Sequence, residues 1–530
     1  PLTAAEAARF LTQSTFGPNK NEIDALTGKS LASLDDWITA QMSVPRSSHD
    51  AATDADYDEF TKPFGGTTLS QSNRQAAWWR IAVTGPDQLR QRLAFALSQI
   101  LVVSENNAVL INQPSAMAVY YDILGRNAFG NFRTLLEEVT LSPVMGIYLS
   151  HLRNGRATFN AQGVQVTFPD ENYAREVMQL FSIGINQVHP DGTLKLDPTG
   201  AAIPTYDQRT ITEMAKVFTG WAYSSTATNP SFRGAAANYI RPMKMYPDFH
   251  DISTKTIVGG RVLPANQTGE QDLKDALDTL FQHSNTGPFV ARQLIQRLVT
   301  SNPSPGYVYR VAEAFANNGS GVRGDLGAVT RAVLMDYEAR STSLADSASF
   351  GKLREPVIRV TNLLRSLDGG SNSGRVPLLS GNTDINLAQT PLRAPTVFNF
   401  YEPDYVQPGV LASAGLLAPE YQILNATTAM TVPNLLWNQL YGNRPAATDT
   451  DNQTVGIRFD AATLALANTP QALVDQVNLM FAHGSLPKAS TDRIVGAIAA
   501  MPAVNDANRL ERVRSAVYLT ISSPNGAIQK

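Results

Sequence analysis

Along most of the chain, apolar residues recur every three or four positions, the spacing of amphipathic helices. The pattern starts at once. In "TAAEAARFLTQSTFG", Thr3 and Glu6 form a capping box, and Gly17-Pro18 stops the helix. A helix follows around "LDDWITAQM". Residues 47–73 are polar and read as a loop or insertion. "NRQAAWWRIAVT" and "DQLRQRLAFALSQILVV" return to helical period, with Gly85-Pro86 as the turn and Asp87 as N-cap. "SAMAVYYDILGRNAF" and "NFRTLLEEVTLSPVMGIYLSHL" continue it. Residues 153–169 read as a loop with a short hairpin, and "VHPDGTLKLDPTGAAIPTYD" as a β-hairpin turning at Asp191-Gly192. "QRTITEMAKVFTGWAY" is helical. Residues 224–265 are irregular and end in a further hairpin, "KTIVGGRVL". Four strong helices fill 270–340, and "REPVIRVTNLLRSL" follows. Residues 368–410 form a long irregular segment, and 411–530 are again helical, with a polar insertion near 443–456. The fold class is therefore mainly α: a large multi-helix globular protein of roughly 15 helices, with two or three small β-hairpins and long irregular loops. No internal repeat stands out. At 530 residues a single compact core is exceeded. Three helical subdomains are expected: 1–150, 151–410 with the long loops, and 411–530.

Composition narrows the function classes. Charged residues make up 17%, the net charge is -3, and no basic run is long enough for nucleic acid or a lipid patch. No apolar run reaches the ~20 residues that span a bilayer. The chain has no cysteine, which removes disulfides, thiolate nucleophiles and Cys-type zinc sites and suits an oxidising compartment. The first residue is Pro1, as in a chain whose signal peptide has been removed, so a periplasmic or extracellular location is expected.

Few familiar motifs survive their context. "GSGVRG" at 319–324 has the dinucleotide-binding spacing, but a helix precedes it where a strand is required, so it reads as a helix–helix turn. Asp54, Asp56 and Asp58 have the first spacings of a calcium loop but lack its glycine and its final Glu, leaving a weak calcium candidate. Ser485-x-x-Lys488 lacks the companion motifs of a serine acyl-enzyme, and Pro487 argues against a regular helix there. No metal site or cofactor is called for.

"DENYAREVMQLFSIG", 170–184, is different. About ten nearly uncharged residues precede it; then Asp170, Glu171, Arg175 and Glu176 arrive within seven positions of a helix. Glu171 and Arg175 are i, i+4 partners, Asn172, Glu176 and Gln179 share the next face, and Val177, Leu180, Phe181 and Gly184 form the apolar stripe. Early acids suit a helix N-terminus, so capping alone explains part of this. The sharper reading turns Glu176 and Asn172 inward, with Arg175 holding a carboxylate or a substrate. Glu176 is then a general base, and hydrolysis needs a second acid, for which Asp251 beside His250 is the candidate.

These residues also carry a resemblance. "RFLTQSTFGP", "ENYAREVMQLFSIG", "FTGW" at 218–221, "FHD" at 249–251, "REPV" at 354–357 and "RAPTVFNFYEPDYVQPG" follow in order, and together they resemble the DUF1800 family of bacterial proteins, from about residue 4 to beyond 425. Within the helix motif Glu171, Asn172, Ala174, Arg175, Glu176, Met178, Leu180, Phe181 and Gly184 match the family pattern. Gln179 replaces its second acid. A His-rich stretch of many members corresponds here to "SQILVVSENN", leaving Glu105, Asn106 and Asn107 as polar remnants. The resemblance implies an exported protein, often encoded beside a sulfatase-like partner, and no established reaction.

Two readings follow. One is an exported hydrolase or lyase acting on a polymer such as an extracellular polysaccharide. Glu176 and Asp251 act as acid and base, His250 shuttles protons, Arg175 and Asn172 orient, and Trp221, Tyr223 and Tyr401 stack on sugar rings. The other is a non-enzymatic extracellular binding or assembly protein in which Glu171, Arg175 and Glu176 form a structural network.

Overall fold

The computed structural model describes residues 1–530 except 226–230, 235, 377–382 and 443–453; most of the expected insertion near 443–456 lies outside the described residues. The architecture is mainly α. Twenty-six α-helices occur among the described residues, several of them single turns that hydrophobic period does not reveal, which is why the expected number was lower. Strands are confined to four two-stranded antiparallel pairs. Thr158–Phe159 pairs with Gln165–Thr167, and Lys255–Thr256 with Val262–Leu263, as expected of local hairpins. Trp221–Ala222 pairs across a longer connection with Lys244–Met245, and Lys352–Leu353 pairs with the distant Ile528–Gln529. The Asp191-Gly192 turn carries a single bridge, Val188 to Leu194, and the following turn at 197–200 another, Leu196 to Ala202, in place of a regular ladder.

Local chemistry sets the helix boundaries. Helix Ala4–Ser14 begins with the capping box: the Glu6 amide donates to Thr3 Oγ1 at 3.2 Å and the Thr3 amide to Glu6 Oε2 at 2.7 Å. Residues 319–324 are the turn between helices Pro305–Ala316 and Leu326–Met335. Gly324 has φ +78°, and a Cβ there would stand 2.4 Å from Phe281 Cε2, so the glycine serves close packing and not a phosphate. One cluster of buried apolar side chains runs from Leu2 to Ile521, through all three expected subdomain spans.

Three expectations are corrected. Part of the expected loop 47–73 is helix His49–Phe60, capped by Ser48. Its buried face is His49, Thr53, Asp56 and Phe60, at helical spacing but mostly polar, so no apolar stripe announced it. The calcium reading falls with it. On a helix Asp56 points away from the other two: it is buried and accepts from Arg375 Nε at 2.7 Å, while Asp54 and Asp58, four positions apart, share the exposed face. Helix Lys488–Ala499 starts directly after Pro487, which is tolerated there because the first helical amides need no internal partner.

Candidate functional site

The charged helix forms as Asn172–Gln179, with Asp170 Oδ1 accepting from the Asn172 amide at 2.8 Å. Its charges divide between two faces. Glu171 and Arg175 form the expected i, i+4 pair at 3.6 Å, half-exposed. Both reach across to helix Gln208–Val217: Glu171 accepts from Gln208 Nε2 and from Thr212 Oγ1, each at 2.8 Å, and Arg175 Nη2 donates to Gln208 Oε1 at 3.4 Å. These two residues clamp one helix to the next. Asn172 is exposed at the first turn.

Glu176 points elsewhere. It is 6% exposed, and its Oε2 is buried without a hydrogen-bond partner. Burial holds its carboxyl above the usual carboxylate range, against the opposing pull of Arg175. Tyr148 and Tyr206 flank it; burial, with the Glu176 charge added, pushes both phenols up to about 12.

His250 and Asp251 do not work as a pair. His250 Nδ1 lies 2.9 Å from the Thr219 carbonyl, to which it donates, and Nε2 lies 3.0 Å from Asp272 Oδ2. Lys255 Nζ meets the same Asp272 oxygen at 2.7 Å, and His250, Asp272 and Lys255 are all buried. Asp251 is spent locally, its Oδ1 accepting from the Ser253 amide at 2.8 Å and its carbonyl from Lys255 Nζ at 2.6 Å. His250 thus fixes the turn Pro247–Phe249 and has no path to a solvent-borne substrate. Burial also corrects the sugar-stacking role of the aromatics. Trp221, Tyr223 and Tyr401 are at most 5% exposed, with Tyr401 donating to Gln99 Oε1 at 3.2 Å, and none offers a ring face to solvent.

What the charged helix, "FTGW" and "FHD" share is the loop His151–Arg156. The Asp170 amide donates to Asn154 Oδ1 at 2.8 Å, the Gly220 amide to the Asn154 carbonyl at 2.8 Å, the Arg153 amide to the Trp221 carbonyl at 2.8 Å, and the Arg156 amide to the Phe249 carbonyl at 2.8 Å. His151 stacks on Tyr173 of the charged helix at 4.0 Å between ring centroids, and its Nε2 donates to the Thr140 carbonyl at 2.8 Å. Burial pulls this imidazole down to about 4, so it is neutral at ordinary pH.

Around the loop opens a cleft of about 430 Å³, walled by Arg153, Arg156 and Arg233, by the exposed carboxylates Asp170 and Asp248, and by Phe168. Arg153 lies over the Tyr223 ring at 5.0 Å, so that aromatic acts from behind, by holding a guanidinium. The Arg156 side chain makes no hydrogen bond or ion pair with the described residues. Phe168 is 73% exposed at the rim, on the hairpin that also exposes Phe159. The three arginines and Asp248 were missed at the sequence level. "LRNGRAT" places two of them around an Asn-Gly turn, a cue for a loop but not for a cleft. Glu105, the remnant of the His-rich stretch, is the buried counter-charge of Arg74. Among the described residues no three His, Asp or Glu side chains gather to hold a metal ion.

A family profile described as "Protein of unknown function (DUF1800)" matches residues 9–526. The chain belongs to this DUF1800 family. No curated protein and no solved structure matches it. The segments that carry this DUF1800 chain's resemblance, from the charged helix to "FHD", are those that meet on loop 151–156.

Proposed function

We propose that this DUF1800 protein is an exported hydrolase or lyase whose substrate, an anionic extracellular polysaccharide, lies in the Arg153–Arg156–Arg233 cleft. One observation carries the reading: three arginines and two exposed carboxylates, from separate segments, surround one open cleft with an exposed aromatic at its rim. Guanidinium groups match carboxylate and sulfate in geometry as well as charge. The Phe168 face suits the apolar face of a sugar. Asp170 and Asp248 supply the two carboxylates that glycosidic cleavage employs, one protonating the leaving oxygen while the other works on the opposite side. In a lyase, one of them removes the proton beside a uronate carboxyl whose developing charge an arginine holds. His250 then holds the end of the turn that carries Asp248, its amide donating to the Pro247 carbonyl at 3.1 Å. Export is supported by the cysteine-free sequence.

Glu171 and Arg175 favour a second reading, a binding or assembly protein, because their side chains are spent on holding two helices together. One experiment separates the two. The protein is run by affinity electrophoresis through alginate, polygalacturonate, a sulfated glycan and neutral dextran. Each polymer is then assayed for new reducing ends and for the ultraviolet absorbance of unsaturated uronate ends. Retardation by anionic polymers, relieved by salt and by Arg156→Ala with Arg233→Ala, and turnover abolished by Asp170→Asn or Asp248→Asn, is the expected result. Retardation without turnover supports the binding protein. Equal mobility in every gel, or arginine variants that bind unchanged, overturns the anionic-polysaccharide cleft, whether catalytic or binding.

A further inference from the structure

A second pocket, remote in sequence from the cleft, lies between helix Pro356–Ser366, the turn Pro419–Ile423, helix Ala426–Tyr441 and the short helix Pro524–Ala527. Its volume is about 340 Å³, at the lower end of the roughly 300–1,000 Å³ of small-molecule pockets. Ile423, Leu424, Val432, Pro433 and Ile528 make most of it apolar, and Arg354 and Arg359 stand in the same wall.

Those arginines lack a counter-ion, as Arg92 and Arg297 also do in the core, but these two line a pocket. Arg354 is 4% exposed and donates only to neutral acceptors: Nη1 to Asn362 Oδ1 at 3.0 Å, and Nη2 to the carbonyls of Phe481, at 2.5 Å, and Gly526. Arg359 Nη2 donates to the Ile521 carbonyl at 2.7 Å. The Nε of each is buried without a partner, and neither guanidinium forms an ion pair among the described residues. The acids of this neighbourhood are committed. Glu420 pairs with Lys352 at 2.7 Å, and Glu355 accepts from Gln99 and Gln389 with Oε2, each at 2.6 Å, while its Oε1 lies 4.0 Å from Lys352 Nζ. Burial pulls Arg354 down to about 9, with Arg359 adding to it, and Arg359 to about 10; both remain cations at neutral pH. Two cations in a largely apolar wall are costly unless something brings negative charge. "REPV", which contributes Arg354, is among the matched segments that the cleft does not use.

We propose that this pocket binds an amphiphilic anion, a medium-chain carboxylate whose head meets Arg354 and Arg359 and whose tail fills the Val432–Ile528 side. This site is independent of the cleft and of the activity proposed for it.

The test uses anilinonaphthalene sulfonate as the fluorescent probe on the full chain. Sodium decanoate is the competitor, with decanol supplying the tail without charge and acetate the charge without tail. Decanoate is expected to displace the probe at concentrations at least about tenfold below either control, the margin of one charged contact. Arg359→Met should weaken decanoate about tenfold, Arg359→Lys less. Ala429→Trp, at an exposed position of the lining, should block it. Decanol competing as well as decanoate would make the pocket merely apolar, and acetate competing as well would make it a site for small anions. Either overturns the proposal, as does unchanged decanoate binding in Arg359→Met. The comparison of competitors on the unaltered protein decides even if a variant fails to fold.

Discussion

Replacing Asp272 by Asn should destabilise the protein severely. Asp272 lies in the first turn of helix Gly269–Gln282, fully buried. Its Oδ2 accepts from Lys255 Nζ at 2.7 Å and lies 3.0 Å from His250 Nε2. Asn is nearly the same size but carries no charge and brings an NH₂ into a site that already holds donors. Lys255 would keep only the carbonyls of Asp251 and Ser253, at 2.6 and 2.9 Å, and the Asp251 carboxylate at 4.0 Å. Leaving a buried ammonium uncompensated costs ~3–5 kcal/mol. At roughly 2 cal/mol/K of unfolding entropy per residue, the 530 residues give about 1 kcal/mol per degree, so the melting point should fall by about 3–5 °C, and further if this region unfolds as a smaller unit. Scanning calorimetry and guanidinium titration read the effect. Lys255→Met with Asp272→Leu is the decisive companion, because an apolar pair removes both charges and should recover most of the loss. An Asp272→Asn protein melting within a degree of the parent would refute the reasoning. So would a double variant that loses the sum of the two single changes.

Two predictions concern pH and one concerns the clamp. Burial holds His151 at about 4 and His483 at about 3 in the folded chain. Their unfolded value is ~6.5, so this stability is complete above that pH and is lost as pH falls, roughly 2 kcal/mol for each by pH 5. His151→Gln should flatten the decline in a denaturation series from pH 7 to 5, and an unchanged slope would show that His151 is not buried neutral. Glu176 runs the other way: its raised folded value favours the folded state below the unfolded carboxyl range and loses that advantage as pH rises. Glu176→Gln should therefore be no less stable than the parent at pH 8 and relatively less stable at pH 4; a loss of several degrees at pH 8 would reveal a charge partner that the structure does not contain. Arg175→Met should cost no more than ~1 kcal/mol, since the Glu171–Arg175 pair is half-exposed, with a thermal shift near or below one degree.

The boundary between what the sequence discloses and what it hides follows the reach of each interaction. The Thr3–Glu6 cap and the Glu171–Arg175 pair join residues three and four apart, and both were read from spacing alone. Hairpins around 160 and 260 were legible for the same reason, being closed by local turns. Helix His49–Phe60 was missed because its buried face is paid for by distant partners: Asp56 is inward-facing only because Arg375, 319 positions away, meets it. The candidate site fails in the same way. Adjacency points to Asp251 as the partner of His250, yet the partner is Asp272, 22 positions on, which in isolation reads as an ordinary acid at a helix start. The rings of Trp221 and Tyr223 suggest stacking surfaces, but an aromatic in a mostly buried segment is more often a support than a surface, and Tyr223 supports Arg153. A motif strong enough to mark a family therefore located the region of the cleft without naming its lining. The helix and its neighbours set the position of loop 151–156, and the side chains that face solvent from that loop, Arg153 and Arg156, sit outside the motif itself.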